Sequence, residues 1–330
     1  MIPLLSICIP TRNRSHFLKE TLDCIVREDI FNKTTDVEVV ISDNCSDDKT
    51  ENIVHSFVKK YPDKIRYYRN DQNIKDRNFE LALSRGRGSF LKLHNDNLCF
   101  QVGALTKIVT FIKSQQAQKN LLFFLNGNTK TKEEITICPS VDETLSHVSY
   151  YITWIGGFGL WKSDFEKISD FSKYAKKNLA QTEVFLRFLL EKKCTAVYNP
   201  CFLEKGHVVC GKSGYNVAEV FGKNYLSILK EAIKTDGLSQ KVYEQEKKRV
   251  LFEHIIDAYF DFQQLNHLNR GHYWQYMSEY HRNLYFYLSF LIVCRKKLIP
   301  YRLIWRFKIF IYTYILKNDK KASKYRRKLK

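Results

Sequence analysis

Short apolar runs alternating with amphipathic segments, joined by only a few residues, are what most constrains this chain. Residues 4–9, 37–41, 65–68 and 90–93 each read as a strand, the first of them buried, and 121–125 is a further buried candidate. Between them Leu18, Leu22 and Ile25 recur at helical spacing, with Ser15 as N-cap. Ile53, Val54, Phe57 and Val58, then residues 76–84, then Leu105, Ile108, Val109 and Ile112 give three more helices. Strand and helix in alternation predict a mostly parallel sheet covered by helices, an α/β fold with right-handed crossovers. The first strand is expected to stop at Pro10. In such a sheet, ligands sit beyond the carboxyl ends of the strands. The run 85–97 is a glycine-marked turn, a strand and a polar cluster whose single acidic residue, Asp96, falls at such an end.

No GxGxxG follows the first strand and no GxxxxGK[ST] occurs, so a nucleotide site here has to be built from carboxylates and amides. Residues 156–161 combine glycine with aromatic side chains, as a binding loop does. Residues 183–190 read as a helix and 195–198 as a strand ending at Pro200. Beyond about residue 216 the pattern becomes helical, with stripes such as Ala218, Phe221, Tyr225, Leu229 and Ile233. The expected division is 1–215 as the α/β domain and 216–330 as a helical region with a basic tail.

The chain has 330 residues and carries a net charge of +19, which favours anionic partners. The charge is uneven: residues 295–330 hold 14 Lys and Arg against one acid, Asp319. Nucleic acid is not among the expected partners, since no binding motif accompanies the charge. Nine cysteines without a CxxC pair predict reduced, buried thiols and no zinc site. The N-terminus shows no signal-peptide pattern, and no stretch of about 20 apolar residues is present, so a cytoplasmic protein is expected. Residues 284–316 mix aromatic, aliphatic and basic side chains, which suits either a helix at the inner membrane surface, with the tail against anionic lipid, or a buried helix before a basic tail.

Three ordered motifs carry a family resemblance. Ser6-Ile7-Cys8-Ile9-Pro10-Thr11-Arg12-Asn13 resembles the N-terminal signature of family 2 glycosyltransferases of the GT-A fold. Val39-Val40-Ile41-Ser42-Asp43-Asn44-Cys45-Ser46-Asp47 is similar to that family's second strand and acidic turn. Arg77-Asn78 and Gly88-Ser89-Phe90 match the segment leading to its metal motif. The resemblance covers about the first 215 residues. It implies transfer of a sugar from a nucleotide donor, UDP-linked, to a glycan or lipid-linked acceptor. The mechanism implied is inverting single displacement, and the setting bacterial surface polysaccharide such as capsule or lipopolysaccharide. The alternative is a catalytically silent partner of a polysaccharide synthase.

The same resemblance implies roles for individual residues. Pro10, Thr11 and Arg12 line the nucleotide, Asp43 accepts a base N–H, and Arg77 and Lys212 meet the diphosphate. Asn95, Asp96 and Asn97 stand where the family has Asp-x-Asp; both outer carboxylates are amides here. Asp96 and Asn97, with His207, are the expected ligands of a divalent cation, Mn²⁺ or Mg²⁺, held by oxygen donors. Trp154, Gly157 and Phe158 form the acceptor wall. A base is needed to take the acceptor proton. Glu183 is assigned to it, with Gln181 as the other residue the spacing allows.

Overall fold

The computed structural model describes residues 2–129, 131–169, 179–204, 216–235, 237–256 and 272–289, together with 306, 309, 310 and 313. β1 (Leu5–Thr11), β2 (Val37–Asp43), β3 (Ile65–Arg69), β4 (Phe90–Leu93) and β7 (Gly159–Trp161) form one sheet in the order β3-β2-β1-β4-β7. β5 (Leu121–Phe124), β6 (Ile135–Cys138) and β8 (Thr195–Tyr198) form a second, ordered β5-β8-β6. The helices between the first strands are α1 (Ser15–Arg27), α2 (Asp29–Lys33), α3 (Thr50–Lys60), α4 (Arg77–Ser84) and α5 (Ala104–Ser114). β1 pairs in parallel with both β2 and β4, and only β7 runs antiparallel. All seven residues of β1 and of β2 are buried, as expected of parallel strands covered on both faces. Each fully buried Ile, Leu or Val there stabilises the fold by about 1.5–3 kcal/mol.

β1 does not stop at Pro10; it continues to Thr11. The even-numbered residues of β1 face β4, because Phe90 and His94 donate their N–H groups to the carbonyls of Leu4 and Cys8. Pro10 lies beyond the last β1–β4 pair, Cys8 with Leu93. Its missing N–H therefore falls where no ladder continues, and β4 is free to peel away into residues 94–97. Gly88 sits just before β4 for a steric reason: a Cβ there would lie 2.7 Å from the Ser6 amide nitrogen. Its own N–H donates to Ser6 Oγ at 2.7 Å. Glu38, a carboxylate buried in the middle of the sheet, accepts from Ser6 Oγ and the Arg87 amide, each at 2.6 Å. Burial raises its pKa, but these bonds and the nearby arginines outweigh that and hold it below the usual carboxylate range.

Two further expectations are corrected. Residues 159–161 are a strand at the sheet edge and not part of a loop. Residues 131–149 contain β6 and α6 (Val141–Val148), capped by Ser140 accepting from the Glu143 amide at 3.1 Å. Cys24 and Cys99 are disulfide-bonded across 75 residues, while Cys8 and Cys138 are buried free thiols. Partners that far apart leave no mark in cysteine spacing.

α7 (Lys162–Phe165) and α8 (Ala180–Lys192) follow β7, and α9 (Leu226–Lys234) and α10 (Gln240–Val250) follow β8. Residues 1–212 and 224–248 form one compact unit, and 213–223 with 249–330 a second. Among the described residues of the second unit, Trp274, Leu284 and Leu288 are at least half exposed. Among the described residues, no helix is long and apolar enough to cross a membrane. Most of 284–316 lies outside the described residues.

Candidate active site

The sheet order reverses at β1, which has β2 on one side and β4 on the other. This is the topological switch point, where α/β sheets open a crevice at their carboxyl ends. Thr11 and Asp96 meet there: Thr11 Oγ1 donates to Asp96 Oδ2 at 2.9 Å across 85 residues of sequence. Arg14, at the N-cap of α1, donates from NH1 to Asp96 Oδ1, also at 2.9 Å. Asp96 is 3% exposed. Arg14 was not among the residues expected here, although its place three residues after Thr11, between a strand end and a helix start, was the available signal.

His94, two residues earlier, is fully buried and stacked on Phe100 at 4.6 Å. Its Nε2 lies 2.9 Å from the Leu98 carbonyl, which fixes the proton on that nitrogen, and burial lowers its pKa to about 3. It is a neutral wall and not a charged ligand. Asn95 turns a buried Oδ1, without a hydrogen-bond partner, toward Gly156: a Cβ at Gly156 would lie 3.0 Å from it and 2.4 Å from the Trp154 ring. Glycine at 156 thus lets residues 154–157 close against Asn95. Asn97 is half-buried.

Lys92 ties the same segment from beneath. It is fully buried, donates to the carbonyls of Gly156 and Leu93, and lies over the rings of Phe124 and Phe202 at 4.8 and 5.4 Å. Burial lowers its pKa from 10.5 to about 7. The unfolded chain keeps this proton to about pH 10.4. Between those values the unfolded state therefore binds more protons, and this group makes stability rise with pH. Urea unfolding at several pH values above 7 is expected to show a gain of up to about 1.4 kcal/mol per pH unit from this group. Lys92→Met is expected to lack that gain; an unchanged slope would place the titration elsewhere.

Residues 149–153 form a 3-10 turn held from two helices. Gln181 donates to the Thr153 carbonyl at 2.6 Å and Thr182 to the Ile152 carbonyl at 3.3 Å, both from the first turn of α8. Ser149 has φ +56° and ψ −150°, a region that side chains other than glycine avoid at a cost of about 1–3 kcal/mol. Its hydroxyl meets the Glu246 carboxylate of α10 at 2.8 and 3.0 Å, and Tyr225 donates to the same carboxylate at 2.9 Å. Ser149→Ala keeps the strain and loses the bond, so a loss of about 1–3 kcal/mol is expected by denaturant unfolding. Ser149→Gly, which removes the strain as well, is expected to cost less; the reverse order would refute the strain.

The remaining expected residues are placed as follows. Pro10 is buried and Arg12 exposed at the end of β1. Asp43 is fully buried and works as a turn anchor, its Oδ1 accepting from Ser46 N at 3.0 Å and Ser46 Oγ at 2.5 Å. Its Oδ2 accepts from Tyr67 at 2.7 Å; burial and this carboxylate raise the phenol's pKa. Arg77, the first residue of α4, is exposed, whereas its neighbour Asn78 is buried and bonded to Ser42 and Asn70. Trp154 is partly buried against the core. Gly157 packs under the Phe123 ring, and Phe158 is 0% exposed. These last two shape the segment from inside and do not offer an acceptor surface, a correction that follows from the edge strand β7 drawing them into the core. Glu183 is half-buried, one residue beyond Gln181 and Thr182. His207 and Lys212 lie outside the described residues. A cavity of about 380 Å³ opens at the other end of β4, lined by Arg87, Ser89, Trp161 and Lys162 among others, and contains none of these residues.

A family model described as glycosyl transferase family 2 matches residues 6–154, the span that carries β1 to β4 and the crevice. Over this stretch the chain is similar to glycosyl transferase family 2. The matched stretch ends at Trp154, the first residue of the segment that closes on Asn95. An abequosyltransferase of Salmonella typhimurium is 35% identical over 113 residues, 34% of this chain and 33% of that protein. A GalNAc(5)-diNAcBac-PP-undecaprenol β-1,3-glucosyltransferase of Campylobacter jejuni is 31% identical over 111 residues, 33% of this chain and 34% of that protein. Each match thus spans about a third of the relative's length. Among solved structures, S. aureus TarS 1–349 in complex with UDP-GlcNAc matches with a TM-score of 0.54 and 15% identity, over 79% of this chain and 80% of that one. The mannosyltransferase PcManGT of Pyrobaculum calidifontis, in complex with GDP-Man and Mn²⁺, matches with a TM-score of 0.53 and 11% identity, over 100% and 87%. The family 2 stretch thus has the GT-A fold, a mostly parallel sheet flanked by helices.

The Mn²⁺ of that neighbour invites a test of the donor set here. Among the described residues, no group of three or more His, Cys, Asp and Glu side chains could hold a metal ion. Asp96 is the one carboxylate in the 94–97 cluster, and both of its oxygens accept from Thr11 and Arg14. Asn95 and Asn97 bring no charge, and His94 is turned to Leu98. Among the described residues, this donor set does not fit a divalent cation site.

Proposed function

We propose that this chain transfers a sugar from a nucleotide-sugar donor to a glycan or lipid-linked acceptor by inverting single displacement, in the assembly of a bacterial surface polysaccharide. The observation that carries the reading is the crevice at the β1–β4 switch point, where Thr11, Arg14 and Asp96 converge across the family 2 stretch. A lipid-linked acceptor is supported by the undecaprenol in the name of the Campylobacter relative. UDP as the donor nucleotide is supported by the UDP-GlcNAc in TarS 1–349.

The donor's nucleotide lies across the ends of β1 and β2, with Thr11, Arg12 and Asp43 along it and Arg77 toward the diphosphate. Arg14 and Asp96 stand at the leaving-group side. The acceptor enters against Trp154, and Glu183 takes the proton from the attacking hydroxyl as the anomeric carbon–oxygen bond of the donor breaks and the new bond forms. The domain assignment is 1–215 for this chemistry and 216–330 for a helical region that meets the membrane surface through its basic tail. Thermal-shift screening against UDP-, GDP-, CDP- and dTDP-sugars tests the donor, because a ligand that binds only the folded state raises its stability. A donor-specific rise in Tm is expected; no shift with any nucleotide sugar, and no hydrolysis of one, refutes the reading. Co-sedimentation with vesicles containing anionic lipid is expected at low salt and lost at high salt; binding that ignores salt or lipid charge would refute the role of the tail.

A further inference from the structure

We propose that Arg14 provides the fixed positive charge against which the donor diphosphate is bound, so that this chain engages its donor without a divalent cation. The inference rests on the nucleotide-sugar reading of the crevice. A diphosphate leaving group carries negative charge that something must balance, and an arginine or a metal ion can do so. The Arg14 guanidinium sits at the switch point, 2.9 Å from Asp96, with its side chain 29% exposed and that of Asp96 4%. Asp96 thus holds Arg14 at the crevice while leaving part of it open to a ligand. The contact uses one N–H of a planar group with five, and such a fork suits the paired oxygens of a phosphate.

The same contact works against a metal. Mg²⁺ and Mn²⁺ favour anionic oxygen ligands. Asp96 offers one carboxylate, already shared between Thr11 and Arg14, and its neighbours 95 and 97 are neutral amides. A dication placed on Asp96 meets the guanidinium charge a few ångström away, and like charges at that range repel. The amides at 95 and 97 and the arginine at 14 are therefore one arrangement: two of the three side chains carry no ligand charge, and a permanent cation already occupies the one carboxylate.

The test uses the full chain and three probes, the donors UDP-GlcNAc and GDP-mannose and Mn²⁺ alone. Donor affinity by calorimetry is expected to be unchanged within about twofold between EDTA and Mn²⁺, and Mn²⁺ alone is expected to give no saturable loss of its free-ion EPR signal. Arg14→Gln is expected to weaken donor binding at least about tenfold in either medium, with Arg14→Lys in between, at wild-type circular dichroism. Donor binding that appears only with Mn²⁺ overturns the inference and leaves the glycosyltransferase reading standing. So does saturable Mn²⁺ binding without donor, or an Arg14→Gln variant with wild-type affinity. Failure of every nucleotide sugar to bind in both media overturns both. If Arg14→Gln does not fold, the EDTA and Mn²⁺ comparison on the unmodified chain decides the metal question, and Arg14→Lys decides the residue.

Discussion

Glu183→Gln is expected to lower the rate of sugar transfer by about 10²–10⁴-fold, the usual contribution of a general base, while donor affinity stays within about twofold. The two candidates for this role are now distinguishable by what their side chains do. Gln181 is 4% exposed and spends its amide on the Thr153 carbonyl, holding the turn before Trp154. Glu183 is half-buried and is the acidic residue of the first turn of α8. The glutamine keeps the shape of the glutamate and removes only its ability to take a proton, so a large loss in kcat isolates that ability from packing. A pH profile sharpens the test, since the acidic limb of kcat/KM should disappear in the variant. Activity within tenfold of wild type would remove Glu183 from the mechanism. Gln181→Glu is not expected to rescue it, because a carboxylate there would face the Thr153 carbonyl and push the turn away.

Asp96→Asn is expected to reduce kcat/KM for transfer by about 10²–10³-fold, comparable to losing one preorganised group at a site of developing charge. Asparagine can still accept from Thr11, so the β1–β4 junction survives. What is lost is the charge that fixes Arg14. The freed guanidinium is part exposed and can hydrate, so the variant should fold with only a modest loss of stability. Steady-state kinetics with circular dichroism and thermal unfolding checks both halves. Transfer retained at wild-type level would show that Asp96 neither orients Arg14 nor meets the donor.

The two expectations differ in how visible their residues were. Strands β2, β4 and β8 were legible because buried strands are apolar runs bounded by polar turns, and Asp96 was legible because it follows the end of one of them. β7 was not: Gly156, Gly157 and Gly159 read as flexibility, whereas each allows an aromatic ring to approach the backbone. α6 carried a readable signal, the Ser140 and Glu143 capping pair, inside a stretch otherwise without period. Phe158 was misplaced because an aromatic beside glycines is equally a core residue and a surface one until its neighbours in β5 are known. Lys92 and Arg14 gave the least warning. A lysine inside an apolar run and an arginine in a polar turn have many uses, and theirs depends on partners 64 and 82 residues away.

The segment 149–158 also bears on how such a chain can be recombined. Its carbonyls are held from α8, its strained first residue from α10, and Gly156 from β4. The family 2 stretch stops at residue 154, yet the supports of its last turn lie at 181, 182 and 246. A chimera joined at that boundary brings one partner's turn to another's helices. Unless the serine, glutamine, threonine and glutamate travel together, the hybrid inherits a crevice beside an unsupported turn. Exchange between relatives is therefore expected to succeed at seams beyond residue 248, and to fail at the edge that sequence similarity suggests.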